Sequence, residues 1–142
     1  MDPIKYETAL LLREKMLSHN FSIYGEYAYC LNTNELVRYI QNNTFAVADK
    51  NIFYPDNDKH YFTPAPLQEE VIEWLWNEHK ICLETPIFVD FFNYTDFSFG
   101  YLINCLREDN LVRGYKIYVN FKDRNEAMEK GIVEALKLIK NK

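Results

Sequence analysis

The sequence FSFGYLINCLREDNLVRGYKIYVNF, residues 97–121, decides the fold of this chain. Apolar and polar side chains alternate on either side of Asp109-Asn110, a pattern typical of two half-buried β-strands joined by a turn. The alternating apolar positions are Phe97, Phe99, Tyr101, Ile103 and Cys105 before the turn, and Tyr115, Ile117, Val119 and Phe121 after it. We therefore predict two antiparallel strands.

A third strand is predicted just before this pair. Residues 81–92 place Ile87, Val89 and Phe91 on one face, and the polar residues 93–96 supply the turn into the next strand. Together the three strands form an antiparallel meander.

Two amphipathic helices flank the meander. The first begins at Pro66, a residue favoured at helix starts, and extends to about residue 79. The second follows Asp123, which stands three residues before Glu126 in a capping-box spacing. Because helices can cover one face of such a sheet, residues 66–140 predict a two-layer α+β core of helix, three-stranded antiparallel sheet and helix.

The N-terminal part, residues 1–65, is predicted to be helical or irregular, with an extended or irregular stretch at 21–31 and a short strand at 45–47, and to pack on that core. Asp2-Pro3 starts one helix, and Asn32 with Glu35 forms the capping pattern of a second, short helix. The apolar face of this short helix consists of Leu36, Val37 and Ile40. Residues 55–66 are rich in Pro, Asp and Asn and predict a loop. Since 65 residues with two short helices make a weak core, we predict one domain over residues 1–142.

Composition narrows the class of protein. The 142 residues are 48% hydrophobic and 26% charged, which is typical of a globular chain. The net charge of −5, without a basic block, disfavours nucleic-acid binding. The three scattered Cys predict no disulfide framework, and the sequence has neither a leading signal region nor an apolar run of about 20 residues. We therefore predict a cytoplasmic protein without membrane association.

Catalytic and metal-binding signatures are not found in the sequence. The Asp56-x-Asp58-x-His60 pattern lacks the Gly and Glu of a calcium loop, and the Cys and His spacings do not match a zinc site. We therefore predict no cofactor and no metal. The alternative is an enzyme or small-ligand binder whose site is assembled from distant residues, with His60, Tyr61 and Asp90 as its candidate ligand-binding side chains.

Trp76 is the leading candidate for contact with a partner. It points roughly opposite to Leu67 on the predicted helix, with Ile72 beside it. Either the N-terminal segment packs over it, or it contacts a partner or a second copy, since Trp is enriched in interface hot spots. The predicted partner-binding residues are Ile72, Trp76 and Val133.

Three stretches resemble a family of small uncharacterised proteins from phages, prophages and genomes of Bacteroides and its relatives. They are the opening helix at 6–15, the proline-led segment 64–68 with Trp74-Leu75 and His79-x-Ile81, and the closing helix with Gly131-Ile132 and residues 134–139. The family usually has a basic residue where Trp76 stands, which favours an outward position for this side chain. The resemblance implies a phage-like accessory protein of the bacterial cytoplasm and carries no activity or active site.

These observations favour a non-enzymatic protein that binds another macromolecule. An unknown protein partner, as an adaptor or inhibitor of host machinery would have, and a second copy of the chain are both open. Nucleic-acid binding or mimicry is a further, less favoured alternative, because it would need acidic stripes or a basic patch on the surface.

Overall fold

A computed structural model describes residues 2–15, 27–39, 45–46, 52–53, 62–89, 97–106 and 112–139. The chain divides into two compact units, Met1–Leu67 and Gln68–Lys140, which are described separately below. Both contain antiparallel strands and helices, which confirms the α+β class. The single domain over residues 1–142 stays a prediction.

The first unit contains one helix and a five-stranded antiparallel sheet within its described residues. The helix is α1 (Tyr6–Lys15). The strands are β1 (Tyr27–Cys30), β2 (Leu36–Tyr39), β3 (Phe45–Ala46), β4 (Ile52–Phe53) and β5 (Phe62–Pro64), in the sheet order β4-β3-β2-β1-β5. The helix predicted over β2 and the loop predicted over β5 are therefore wrong, whereas the extended stretch at 21–31 and the short strand at 45–47 agree with β1 and β3.

The predicted short helix after Asn32 is replaced by a β-hairpin. Cys30 N–H donates to the Glu35 carbonyl at 2.9 Å, and Asn34 adopts a left-handed conformation with φ of 61°. Asn tolerates this conformation because its short side chain hydrogen-bonds locally. The Asn32–Glu35 segment thus turns the chain back on itself, and Val37 is buried opposite Ala28.

Strand β5 and the N-terminus are tied together within the first unit. Residues 62–64 were predicted as loop, and this is wrong because they pair with β1. Ile4 N–H donates to the Pro66 carbonyl at 3.0 Å, and the Tyr29 hydroxyl donates to the Ile4 carbonyl at 2.8 Å. These hydrogen bonds satisfy backbone N–H and C=O groups that lie outside the strands and the helix, because buried polar groups need a hydrogen-bond partner.

Within its described residues, the second unit runs helix, four strands, helix. The helices are α2 (Gln68–His79) and α3 (Arg124–Lys137). The strands are β6 (Ile81–Glu84), β7 (Ile87–Val89), β8 (Phe97–Leu106) and β9 (Val112–Phe121). All pairings are antiparallel, with β6 and β7 both bonded to β8, and β9 also bonded to β8.

Strands β6 and β7 are two parts of one row beside β8. Glu84 pairs with Leu102 and Ile87 with Phe99, so the register is unchanged across the Thr85-Pro86 interruption. Gly100 N–H donates to the Pro86 carbonyl at 3.1 Å, which continues the ladder through the interruption. The single strand predicted over residues 81–92 is thus divided at Pro86, a residue that cannot donate its own ladder hydrogen bond.

Helix α3 packs very closely on the sheet at Gly131. A Cβ atom at this position would lie 2.7 Å from Leu83 Cδ1 and 2.9 Å from Tyr101 Cβ. Leu83 and Tyr101 belong to the same sheet face, which also includes the buried Ile81 and Ile103. The absence of a side chain at Gly131 therefore lets the helix backbone approach this face.

Polar contacts fix the beginnings of both helices of the second unit. Asp123 caps α3, as predicted, and its Oδ1 accepts a hydrogen bond from Asn125 N–H at 2.9 Å. At the start of α2, the buried Gln68 Nε2 donates to Glu129 Oε1 at 3.1 Å and to the Asn125 carbonyl at 3.2 Å. Gln68 thus links the first turn of α2 to α3.

Candidate functional site

The predicted partner-binding residues lie on the two helices of the second unit. Ile72 and Trp76 are one turn apart on α2, and Val133 lies on α3. Trp76 is 43% exposed, so its outward position is confirmed, whereas Ile72 and Val133 are partly exposed. Their role in partner binding stays a prediction. His60, Tyr61 and Asp90 fall outside the described residues.

Trp76 is accompanied by a cation. Lys80 ends helix α2 in a left-handed conformation with φ of 53°, and its N–H donates to the Trp76 carbonyl at 3.1 Å. The Lys80 ammonium lies 5.1 Å from the centroid of the indole ring, within cation–π range. This ammonium shields part of the ring, so Trp76 offers a mixed cationic and aromatic surface.

A more apolar surface lies at the far end of the sheet. On the face that carries the buried Leu83 and Ile103, the apolar residues beyond Thr85 and Tyr101 are exposed or partly exposed. We call this surface the distal apolar face and define it as Ile87, Val89, Phe97 and Phe99. Ile87 is 60%, Val89 49% and Phe97 58% exposed, and the Phe97 and Phe99 rings meet edge to face at 5.8 Å.

The distal apolar face exists because the strands are longer than the helices that pack on them. Helix α3, which contacts β8 at Tyr101, has 14 residues and is about 21 Å long, whereas β8 has 10 residues and spans about 33 Å. Sequence reasoning missed this site, since alternating Ile87 and Val89 predicted a buried face. The mismatch of helix and strand lengths was the available signal.

Cys82 on β6 has an unreactive environment. Burial raises the pKa of its thiol above the ordinary value, and the nearby Glu84 carboxylate raises it further. A raised pKa lowers the thiolate fraction, and the thiolate is the nucleophile. The described geometry therefore gives Cys82 no activating partner for covalent catalysis.

We expect Cys82 to react with iodoacetamide at pH 7.5 at least about threefold more slowly in the folded chain than in urea, because the folded environment disfavours the thiolate. Peptide mapping by mass spectrometry measures the rate at this cysteine. Glu84→Gln should speed the reaction, since it removes the charge beside the thiol, while Glu73→Gln on the exposed side of α2 should not. Equal reaction rates of Cys82 in the folded chain and in urea would contradict a raised pKa of its thiol.

Neither a metal site nor a spanning helix emerges from the part of the chain that the structure describes. Among those residues, no three His, Cys, Asp or Glu side chains are grouped closely enough to hold an ion. Over the same ranges, each helix falls short of the length and apolar character that crossing a bilayer would require.

Within the described residues of the second unit, the two candidate binding surfaces are thus the distal apolar face and the Trp76–Lys80 pair. Comparison of the chain with protein-family models, with curated proteins and with solved structures gives no match.

Proposed function

We propose that this chain is a non-enzymatic accessory protein that binds another protein through the distal apolar face. The observation that carries the proposal is the exposure of Ile87, Val89 and Phe97 at the end of an otherwise covered sheet face. Burying a Val, Ile or Phe side chain contributes about 1.5–3 kcal/mol. Since Ile87, Val89 and Phe97 are 49–60% exposed, a partner that covers them gains about half of this free energy at each residue.

The chemistry of the face fits a protein partner. Aromatic residues are enriched at protein interfaces and charged residues are depleted at their centres. Phe97 and Phe99 supply two aromatic rings that contact each other edge to face. The net charge of −5 speaks against a nucleic-acid partner, because phosphate binding needs Lys and Arg.

The broader setting of the proposal comes from the sequence. We propose a phage-like adaptor or inhibitor of host machinery in the bacterial cytoplasm, on the resemblance carried by residues 6–15, 64–81 and 126–139. We further propose that α2 and α3 together form one layer on the sheet. The close contact of Gly131 with Leu83 and Tyr101 supports this layering.

Site-specific photo-crosslinking tests the proposal. The full chain is produced in a Bacteroides host with benzoylphenylalanine in place of Phe97, and separately in place of Leu138 as a control. Leu138 is an apolar surface residue just after α3 and outside the distal apolar face, and it is 38% exposed, compared with 58% for Phe97. We expect discrete adducts with a second protein from position 97 and not from position 138.

A further variant makes the crosslinking result specific. Ile87→Asn removes apolar area beside Phe97, and the adduct yield at position 97 should fall several-fold. Equal adducts from positions 97 and 138, or no adduct with any other protein, would overturn the proposal.

A further inference from the structure

We propose that β7 pairs antiparallel with β7 of a second copy of this chain, about a two-fold axis at Phe88. The inference goes beyond the proposed function and names a second copy as one protein that this end of the sheet contacts. It uses a different surface, since the pairing engages the backbone edge of β7, whereas the distal apolar face offers side chains.

Two residues of β7 direct their backbone N–H and C=O groups away from β8. Gly100 N–H donates to the Pro86 carbonyl, and Leu106 N–H donates to the Lys80 carbonyl at 2.9 Å. The even-numbered residues from 80 to 88 therefore direct their backbone groups toward β8. Because antiparallel hydrogen bonds alternate, the N–H and C=O groups of Ile87 and Val89 point to the opposite edge. In the described ranges, no strand pairs with that edge.

This edge is complementary to itself. In a pairing centred on Phe88, Ile87 lies opposite Val89 of the second copy, and the reverse. Each of the two pairs exchanges both backbone hydrogen bonds, so all four outward groups of each copy find partners. The two Phe88 side chains then form the closely spaced pair on the axis, and cross-strand aromatic pairs stabilise sheets.

The charged residues that the structure describes near β7 allow this pairing. Edge strands usually carry charged residues or proline that block strand addition, and β7 consists of Ile87, Phe88 and Val89. Pro86 does not protect the edge, because its nitrogen faces β8. The exposed Glu84 lies four residues from the axis, so the two Glu84 side chains would be about 27 Å apart along the strands, well beyond the screening length of about 8–10 Å.

The area of contact sets the strength of the dimer. Stable interfaces bury about 800 Å² on each partner, whereas one three-residue strand and its side chains contribute much less. We therefore expect a reversible dimer that forms at high concentration. A permanent dimer would need further contacts.

Sedimentation of the full chain over about 5–500 μM tests the pairing, with concentrations chosen for a weak interface. The weight-average mass should rise from 17.0 kDa toward twice that value. Val89→Pro removes an outward N–H without removing a bond to β8, and should stay at the monomer mass. Val89→Thr keeps the N–H and the branched side chain, and should associate like the unaltered chain.

A second variant keeps the test decisive if Val89→Pro disturbs folding. Ile87→Lys places a charge on the edge and should weaken association at least about tenfold, whereas the matched Leu138→Lys should leave it unchanged. An unaltered chain that stays at 17.0 kDa throughout, or a folded β7 variant that associates equally well, would overturn the pairing. Adducts with a different protein from position 97 would in that case still support the proposed function. A dimer without such adducts would overturn the proposed function alone.

Discussion

Gly131→Ala is expected to lower the free energy of unfolding by roughly 1–2 kcal/mol. The new Cβ would lie 2.7 Å from Leu83 Cδ1 and 2.9 Å from Tyr101 Cβ. Leu83 can move the end of its side chain, but Tyr101 Cβ is fixed to the backbone of β8, so α3 must shift away from the sheet. Overpacking of this kind costs about 1–3 kcal/mol, which outweighs the gain of about 1 kcal/mol from replacing Gly by Ala in a helix. Urea denaturation measures the difference.

The neighbouring Lys130 provides the control for this result. Its side chain is exposed, so Lys130→Ala should be about 1 kcal/mol more stable than Lys130→Gly. Ala and Gly should therefore rank in opposite orders at positions 130 and 131. The same order at both positions would show that α3 does not approach the sheet as closely as the structure indicates.

Gln68→Leu is expected to destabilise the second unit by about 2 kcal/mol. The Gln68 amide is a donor to the buried carboxylate of Glu129 at 3.1 Å, and a hydrogen bond to a charged group contributes about 1.5–3 kcal/mol. The substitution also removes the buried Gln68 Oε1, which has no hydrogen-bond partner in the structure, and this reduces the loss. The expected value lies between these effects.

A double-mutant cycle checks the coupling between Gln68 and Glu129. Replacing both residues by Leu removes the buried carboxylate together with its donor, so the double variant should be more stable than the sum of the two single effects predicts. Urea denaturation of the four proteins gives the coupling energy, which should reach at least about 1 kcal/mol. Additive effects within about 0.5 kcal/mol would mean that the two side chains do not depend on each other.

The second unit was largely predictable because its local patterns agree with its packing. Alternation at Tyr101 and Ile103 gave β8, and Asp123 gave the start of α3. Both signals are short in range and point to the structure that forms. The division at Pro86 was also readable in principle, since proline interrupts a strand ladder.

The first unit was less predictable because its strands depend on distant partners. Leu36, Val37 and Ile40 fit one helical face, yet residues 36–39 form β2 because they pair with β1. The Asn32–Glu35 segment that makes this hairpin through the left-handed Asn34 also fits a helix-capping pattern in sequence, with Asn32 as the cap. Strands as short as β5 carry too few residues for a period to be recognised.

The distal apolar face was hidden for a different reason. An alternating strand shows which residues share a face, but it does not show where the covering helices end. Ile81 and Ile87 follow the same pattern, and one is buried while the other is 60% exposed. The relation between local alternation and burial therefore fails at the ends of long strands.

The pairing of Ile81 to Val89 with β8 keeps one register throughout, and this restricts how residues 81–89 can change in length during evolution. Successive residues of a strand face opposite sides, so deleting one residue before Pro86 would exchange the two sides of the preceding segment. Glu84 would then turn toward helix α3, and Leu83 would turn away from it. Insertions and deletions that are tolerated within residues 81–89 should therefore contain an even number of residues. Those with an odd number should be confined to the connection between Val89 and Phe97.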